Sequence, residues 1–241
     1  NGAKALISNK IGKPSNHQKS KALKDSVIAI ITTKYADFGP TLAHEKLMQE
    51  HDLCVSVTSI RKIMITEELW DPKRVKKQRV FQLRERRSLE GELIQMDGSP
   101  HAWFEERGAK CTLLVCMDDA TGKFMAGLFR TSETIWGYFD LLDLYLKRHG
   151  RPVALYTDKH GVFRVNRPDS LSGNGITEFG RAMGELDIKM VFANTPQAKG
   201  RVERANRTLQ DRLVKELRIR KISTMEEANA FLPTFIDDFN H

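Results

Sequence analysis

A stripe of apolar residues in the last third of the chain, Val202, Ala205, Leu209, Leu213 and Leu217, recurs at intervals of three and four and so marks one face of a long helix. Val191-Phe192, just before it, reads as the end of a buried strand. Asn194, Thr195, Pro196 and Gly200 between them are turn formers. Glu203 falls in the opening turn of this helix, with Arg201, Arg204 and Arg207 around it. A carboxylate at that point sits at the positive end of the helix dipole, on a rigid element, in a basic setting. Whatever fold the chain adopts must explain which other acids this one meets.

The order of elements from residue 91 onward narrows the choice. Glu92–Met96 reads as a strand ending at Asp97-Gly98, and Lys110–Met117 as a second that turns at Asp118-Asp119-Ala120-Thr121-Gly122. Lys123–Arg130 completes an antiparallel hairpin. Thr134–His149 is amphipathic, with Ile135, Phe139, Leu142 and Leu146 expected inward, and Gly150-Arg151-Pro152 stops it. Val153–Thr157 is a short buried strand ending at Asp158. Ile176–Leu186 reads as a helix and Lys189–Phe192 as a strand. A last helix covers Met225–Asn240, where Pro233 argues for a break or kink. The series β-β-β-α-β-α-β-α predicts an α/β domain with three antiparallel strands followed by parallel ones.

Residues 21–70 have a different texture, that of a small helical unit. Val27, Ile28, Ile30, Ile31 and Tyr35 give one apolar face, stopped near Phe38-Gly39-Pro40. A second helix is expected from Thr41 to His51, with Leu42, Ala43 and Leu47 inward. Ser56 is a suitable N-cap for a third, with Val57, Ile60 and Met64 or Ile63 facing in. Its outer side then presents Thr58, Ser59, Arg61 and Lys62. Two helices, a turn and a helix with hydroxyl and basic groups outward form the helix-turn-helix layout, whose last helix enters the major groove. A three-helix bundle without a DNA role has the same periodicity. Residues 1–20 read as a basic arm or linker. Residues 71–90 read as a basic linker, carrying Lys73, Arg74, Lys76 and Lys77 where it can cross a phosphate backbone.

Charge supports that division. Of a net +8, residues 1–80 hold +7, from 15 Lys and Arg against 8 Asp and Glu. An excess so placed favours a polyanion partner at the amino-terminal third. No apolar run reaches the ~18–20 residues of a membrane span, and no signal peptide is visible, so no membrane role is expected. Cys54, Cys111 and Cys116 lack zinc or thioredoxin-like spacing and read as thiols of a reducing compartment, which makes the cytoplasm the expected location. The chain opens on Asn1, closes just after a helical pattern, and reads as a piece of a longer protein.

Three acids occupy matching places in this layout: Asp97 and Asp158 at strand ends, Glu203 at a helix start. Strand ends along one edge of such a sheet are where ligands bind. A carboxylate trio there suits Mg²⁺, which takes one or two carboxylates and fills its octahedron with water and phosphate oxygens. Two ions roughly 3.5–4 Å apart activate an attacking oxygen and stabilise a leaving one. Taken singly, each acid is equally a turn residue or a helix-start acid. Asp118-Asp119 reads as turn chemistry rather than a further ligand. Trp103 and Phe104 are expected to pack beneath the loop after Asp97, with stacking on an unpaired base the rival role. His160 is placed either to touch DNA or to close its turn.

MDGSP at Met96–Pro100, YTDKHGVF at Tyr156–Phe163 and NTPQAKGRVERANRTLQ at Asn194–Gln210 resemble the three signature blocks of DDE transposases and retroviral integrases. The last is the most specific, through Asn194, Pro196, Gln197, Gly200, Glu203 and Asn206. FGPTLAHEKL at Phe38–Leu47 and the basic third helix resemble the DNA-binding region of bacterial insertion-sequence transposases, of the ISNCY type. The resemblance covers nearly the whole chain. It implies a ribonuclease H-like mixed sheet flanked by helices over 91–241, preceded by the small all-α helix-turn-helix domain, with a further C-terminal domain missing. It also implies Asp97, Asp158 and Glu203 as catalytic, metal-binding triad, with Mg²⁺, or Mn²⁺ in its place, as two ions. Lys159, Lys199, Arg201, Arg204, Asn206 and Arg207 would then lie by the DNA. Two features depart from the pattern: 44 residues separate Asp158 from Glu203, more than in retroviral integrases, and the zinc module of those integrases is absent.

The activity so implied is cleavage at transposon ends followed by transfer of the 3′-hydroxyl into target DNA. Partners would be double-stranded DNA, as ends and as target, and further copies of the chain when two ends are synapsed, in the bacterial cytoplasm at the nucleoid. A metal-dependent structure-specific nuclease of the same fold and a non-catalytic DNA-binding regulator are the alternatives.

Overall fold

The structure is a computed structural model, and it describes residues 19–72, 85–158, 163, 177–193 and 200–241, the side chain of Arg201 excepted. The chain divides into two compact units, Asn1–Gln78 and Arg79–His241.

In the first unit, α1 (Lys21–Lys34), α2 (Pro40–His51) and α3 (Val57–Thr66) pack around Val27, Ile31, Tyr35, Phe38, Leu42, Ala43, Leu47, Val55, Ile60 and Met64, all buried. Each start has its own cause. Ser20 caps α1 by accepting from Leu23 N–H, Pro40 opens α2 where a missing N–H costs nothing, and Ser56 caps α3 by accepting from Ser59 N–H. Asp52 ends α2 in the left-handed region, at φ 53°, and turns the chain toward α3. Of the two candidates for the inner face of α3, Met64 is buried and Ile63 only partly so.

The second unit is built on one mixed sheet. Its strands are β1 (Leu93–His101), β2 (Cys111–Asp118), β3 (Phe124–Arg130), β4 (Ala154–Thr157) and β5 (Lys189–Phe192), in the order β3-β2-β1-β4-β5. The pairs β1–β2 and β2–β3 are antiparallel, while β1–β4 and β4–β5 are parallel. This is the ribonuclease H-like arrangement that the resemblance implies, and its antiparallel-then-parallel pairing is what the element order predicts. The helices are α4 (Ile135–His149), α5 (Glu178–Glu185), α6 (Gly200–Ile219) and α7 (Met225–Asn240).

Strand alternation sends successive side chains to opposite faces, and each face has its own core. Leu113, Val115 and Met117 join Val202, Leu209, Leu213 and Leu217 of α6 and Leu232, Phe235 and Ile236 of α7. Ile94, Met96, Leu114 and Cys116 join Tyr138, Leu141, Leu142 and Tyr145 of α4 and Phe179 and Met183 of α5. The stripe from Val202 to Leu217 is buried as its spacing predicts, with Ala205 partly covered. On α4 the inward face is centred on Tyr138, Leu141, Leu142 and Tyr145, and Ile135, Phe139 and Leu146 only flank it.

Two boundaries differ from expectation. Strand β1 does not stop at Asp97-Gly98 but continues to His101, because Asp97 to His101 pair with Val115 to Cys111 of β2. A nonlocal ladder overrides a local turn signal. Helix α7 runs through Pro233. The proline removes one backbone donor, but Leu232, Phe235 and Ile236 are buried on either side of it, and Asn229 bonds both the N–H and the carbonyl of Phe129 on β3.

The stretch expected as linker is described only at its end. There Arg87 N–H donates to Asp119 and Gly91 N–H to Asp118, which attaches it to the β2–β3 turn.

Candidate active site

Asp97 lies within β1, on the face that carries α6, as Gln95 and Ser99 do. Leu93, Ile94 and Gln95 pair in parallel with Ala154, Leu155 and Tyr156. Continued two residues, this register sets Asp97 level with Asp158, which follows the last residue of β4. Adjacent strands lie ~4.8 Å apart and residues level in a parallel pair point to the same face. Two aspartates from opposite ends of a long loop of chain are therefore side by side.

Helix α6 is fastened to this strand by two amides. Asn206 Nδ2 donates to Asp97 Oδ2 at 2.9 Å, and Gln210 Nε2 donates to Ser99 Oγ at 3.0 Å. The spacing explains why both bonds form. Four residues of helix advance about 6 Å and two residues of strand about 6.7 Å, so positions 206 and 210 meet 97 and 99 together. Glu203, three residues earlier, stands about 60° round the axis from Asn206, on the flank opposite Ala205 and its core. Its side chain is exposed.

A fourth acid comes close. Tyr138 Oη, buried in the α4 layer, donates to Glu133 Oε2 at 2.8 Å. Burial pushes the Tyr138 phenol up, the Glu133 charge and hydrogen bond add to this, and smaller contributions come from Asp97 and Asp158. The phenol thus lies within electrostatic reach of all three carboxylates.

An ion site fits this chemistry in part. The donors are oxygens, two carboxylates stand in register, and Asn206 Oδ1 is buried without a hydrogen-bond partner beside Asp97. Among the described residues no group of three or more His, Cys, Asp or Glu side chains is tight enough to hold a metal. Glu203, the third expected carboxylate, is exposed on α6 and joins no such group.

The remaining candidates fall into three groups. Arg204 and Arg207 are exposed on α6, and Thr58, Arg61 and Lys62 on α3; Ser59 is half-buried, its hydroxyl against that of Ser56. Lys73, Arg74, Lys76, Lys77, Lys159, His160 and Lys199, and the side chain of Arg201, lie outside the described residues. Asn206, expected beside the DNA, is buried and spends its amide on Asp97. Asp118 accepts from Thr121 and closes the β2–β3 turn, while it also accepts from Gly91, and Asp119 accepts from Gln95 of β1 and from Arg87 before it. Trp103 and Phe104 are buried in the α6 core, where Trp103 Nε1 donates to Ser99 O, and they offer no surface for stacking. Glu133 went unmarked in the sequence, since it belongs to no local pattern, and Gln210 stood only as the last residue of the third block.

The chain is 52% identical, over 99% of its length, to a protein of Sinorhizobium fredii provisionally named transposase y4bF. It is 36% identical, over 93% of its length, to the transposase for insertion sequence IS1202 of Streptococcus pneumoniae. The chain is similar to both transposases along almost its whole length. It spans about half the length of these two transposases, 52% and 56% respectively. No protein-family model matches the chain. Among solved structures, a chain of the simian T-cell lymphotropic virus intasome, in complex with the PP2A regulatory subunit B56γ, aligns over 85% of this chain and 66% of its own, at 19% identity and a TM-score of 0.48. The HTLV-2 integrase catalytic core domain in complex with magnesium, in its dimeric form, aligns over 60% and 85%, at 21% identity and a TM-score of 0.46. The fold of this chain rests on its own strand order, and among the described residues no helix is long and apolar enough to cross a membrane.

Proposed function

We propose that the Arg79–His241 unit is the catalytic core of a DDE transposase, in which Asp97, Asp158 and Glu203 bind divalent ions, cleave at transposon ends and transfer the 3′-hydroxyl into target DNA. The observation that carries this reading is the in-register pair Asp97 and Asp158, with α6 latched over it through Asn206. Similarity to two transposases along almost the whole chain supports it.

Asp97 and Asp158 present anionic oxygens at one place on the sheet face. Asn206 holds one oxygen of Asp97. Glu203 comes from a helix whose dipole favours its charge. Mg²⁺ or Mn²⁺, held as two ions, would supply the charge that activates the attacking oxygen and stabilises the leaving one. Arg204 and Arg207, exposed on α6, draw the phosphate backbone toward the acids. The Asn1–Gln78 unit is a helix-turn-helix domain over 21–70, with Thr58, Ser59, Arg61 and Lys62 of α3 toward the major groove. The arm over 1–20 and the linker over 71–90, with Lys73, Arg74, Lys76 and Lys77, follow the backbone, and Lys159, Lys199 and Arg201 serve the core. Two ends are held by a dimer or larger assembly of the chain, at nucleoid DNA in the bacterial cytoplasm.

The test incubates the chain, pre-cut end duplex and plasmid with Mg²⁺. Joined product is expected, lowered at least about 1,000-fold by Asp97→Asn, Asp158→Asn or Glu203→Gln. Cleavage without joining would instead identify a nuclease. Joining that survives all three substitutions sinks the assignment.

A further inference from the structure

Strand β3 is an outer strand of the sheet, with β2 as its neighbour. Its backbone groups alternate between β2 and the outside. A bare outward row of such groups invites pairing with another chain. Here the row is taken up from within. Phe129 N–H donates to Asn229 Oδ1 at 2.7 Å, and Asn229 Nδ2 donates to the Phe129 carbonyl at 3.2 Å. At the other end of the strand, Phe124 N–H donates to Asn240 Oδ1 at 2.9 Å, and Asn240 Nδ2 donates to the Phe124 carbonyl at 2.8 Å. Each carboxamide exchanges the same two bonds that a residue of a paired strand would.

Both asparagines stand on α7, eleven residues apart, and so leave the same face about three turns from each other. Three turns advance about 16 Å, and the five residues from Phe124 to Phe129 about 17 Å. One helix lying along β3 therefore reaches both ends of it. Between them, Met125 is the extra residue at a register shift, because Cys116 pairs with Ala126 and Met117 with Phe124. Its carbonyl accepts from His149 Nε2 of α4 at 3.1 Å. Gly127 alternates with Phe129 and faces outward, where no described side chain bonds its backbone. It opens on a cavity of about 260 Å³ between α4 and α7, walled by Leu144, Leu232 and Ile236. That gap is one residue long, and a pairing strand needs several.

We propose that α7 substitutes for a partner strand: Asn229 and Asn240 close the β3 edge, so that copies of the Arg79–His241 unit cannot add strand to strand there. Contacts made on this side of the unit go through the side chains of α4 and α7, and the sheet ends at β3.

The experiment follows amide hydrogen exchange of the 241-residue chain by NMR at low and high protein concentration, beside sedimentation velocity. Asn229→Ala is expected to speed exchange at Phe129, and Asn240→Ala at Phe124, each by about 10-fold. The double variant is expected to associate at concentrations where the parent chain does not change. In the associated form Phe124 and Phe129 should regain protection, since a pairing strand covers the same N–H groups. Parental exchange in both single variants overturns the proposal. So does a double variant that exchanges fast and never associates, or one that associates with Phe124 and Phe129 still unprotected. If the double variant does not fold, each single variant makes the association test at its own end.

Discussion

Asn206 donates its side-chain amide to Asp97 at 2.9 Å, joining the first turns of a helix to a strand more than a hundred residues earlier in the chain. The bond does two things at once. It fixes the orientation of one acid, and it sets the axial position of the helix that carries another.

Removing it should therefore cost stability as well as order. For Asn206→Ala we expect a loss of about 1.5–3 kcal/mol, the range for a hydrogen bond to a charged group, in denaturant unfolding of the Arg79–His241 unit. Gln210→Ala, which removes a neutral bond to Ser99, should cost only about 1 kcal/mol. Equal losses in the two variants would show that the Asp97 bond has no special weight.

Gly98→Ala tests the bond between Glu133 and Tyr138. The colliding atoms are the free end of a flexible side chain, so Glu133 can swing away at the expense of that bond. Stability should fall by about 1–2 kcal/mol in denaturant unfolding, and Tyr138→Phe should lose a similar amount. Parental stability in both variants would show that the bond carries no weight.

Acid sensitivity should appear at Glu105, on the loop after β1. The hydrogen bond from Arg218 holds its carboxyl below the ordinary 4.5; burial opposes this, and the charges of Arg218 and Arg107 add to the lowering. Because the folded form binds the proton less readily than the unfolded one, the contribution is complete above the ordinary value and is lost as pH falls through the lowered one. Melting temperatures taken from about pH 6 to about pH 3 should drop less steeply in Glu105→Gln than in the parent chain.

The three thiols should react in sequence. Cys54 is exposed, burial pushes Cys111 up to about 11, and full burial pushes Cys116 up further. Since the thiolate is the nucleophile, a thiol reagent near neutral pH should label Cys54 in the native chain and reach Cys111 and Cys116 only on unfolding. Native labelling of Cys116, read by mass spectrometry of peptides, would contradict the packing of the α4 layer.

On α3, the double substitution Arg61→Ala and Lys62→Ala should weaken duplex binding in a sequence-independent way. If both side chains neutralise phosphates, the slope of log affinity against log salt should shrink by about 1.8. An unaltered slope would remove α3 from the DNA interface.

The parts of this molecule legible in its sequence are those written in periodic or local form. The stripe from Val202 to Leu217, the hairpin around Asp118 to Gly122 and the cap at Ser56 each announce themselves within a few residues, and the structure has them in place. The extent of β1 was not legible, since Asp97-Gly98 signals a turn locally and only the remote strand Cys111–Asp118 overrules it. Nor was Glu133, whose neighbourhood is made by an absent side chain 35 positions away. Asn206 stood out as an asparagine near the acids, but its burial depends on where α6 lands.

Because β1 runs on past Asp97 to His101, that aspartate is anchored by ladder bonds before and after it and has no loop to move on. It is the stationary jaw of a vice. Any fitting of the jaws to a bent or straight duplex has to come from the helical side, so relatives that handle differently shaped DNA should vary along the outer flank of α6 and keep the strand as it is.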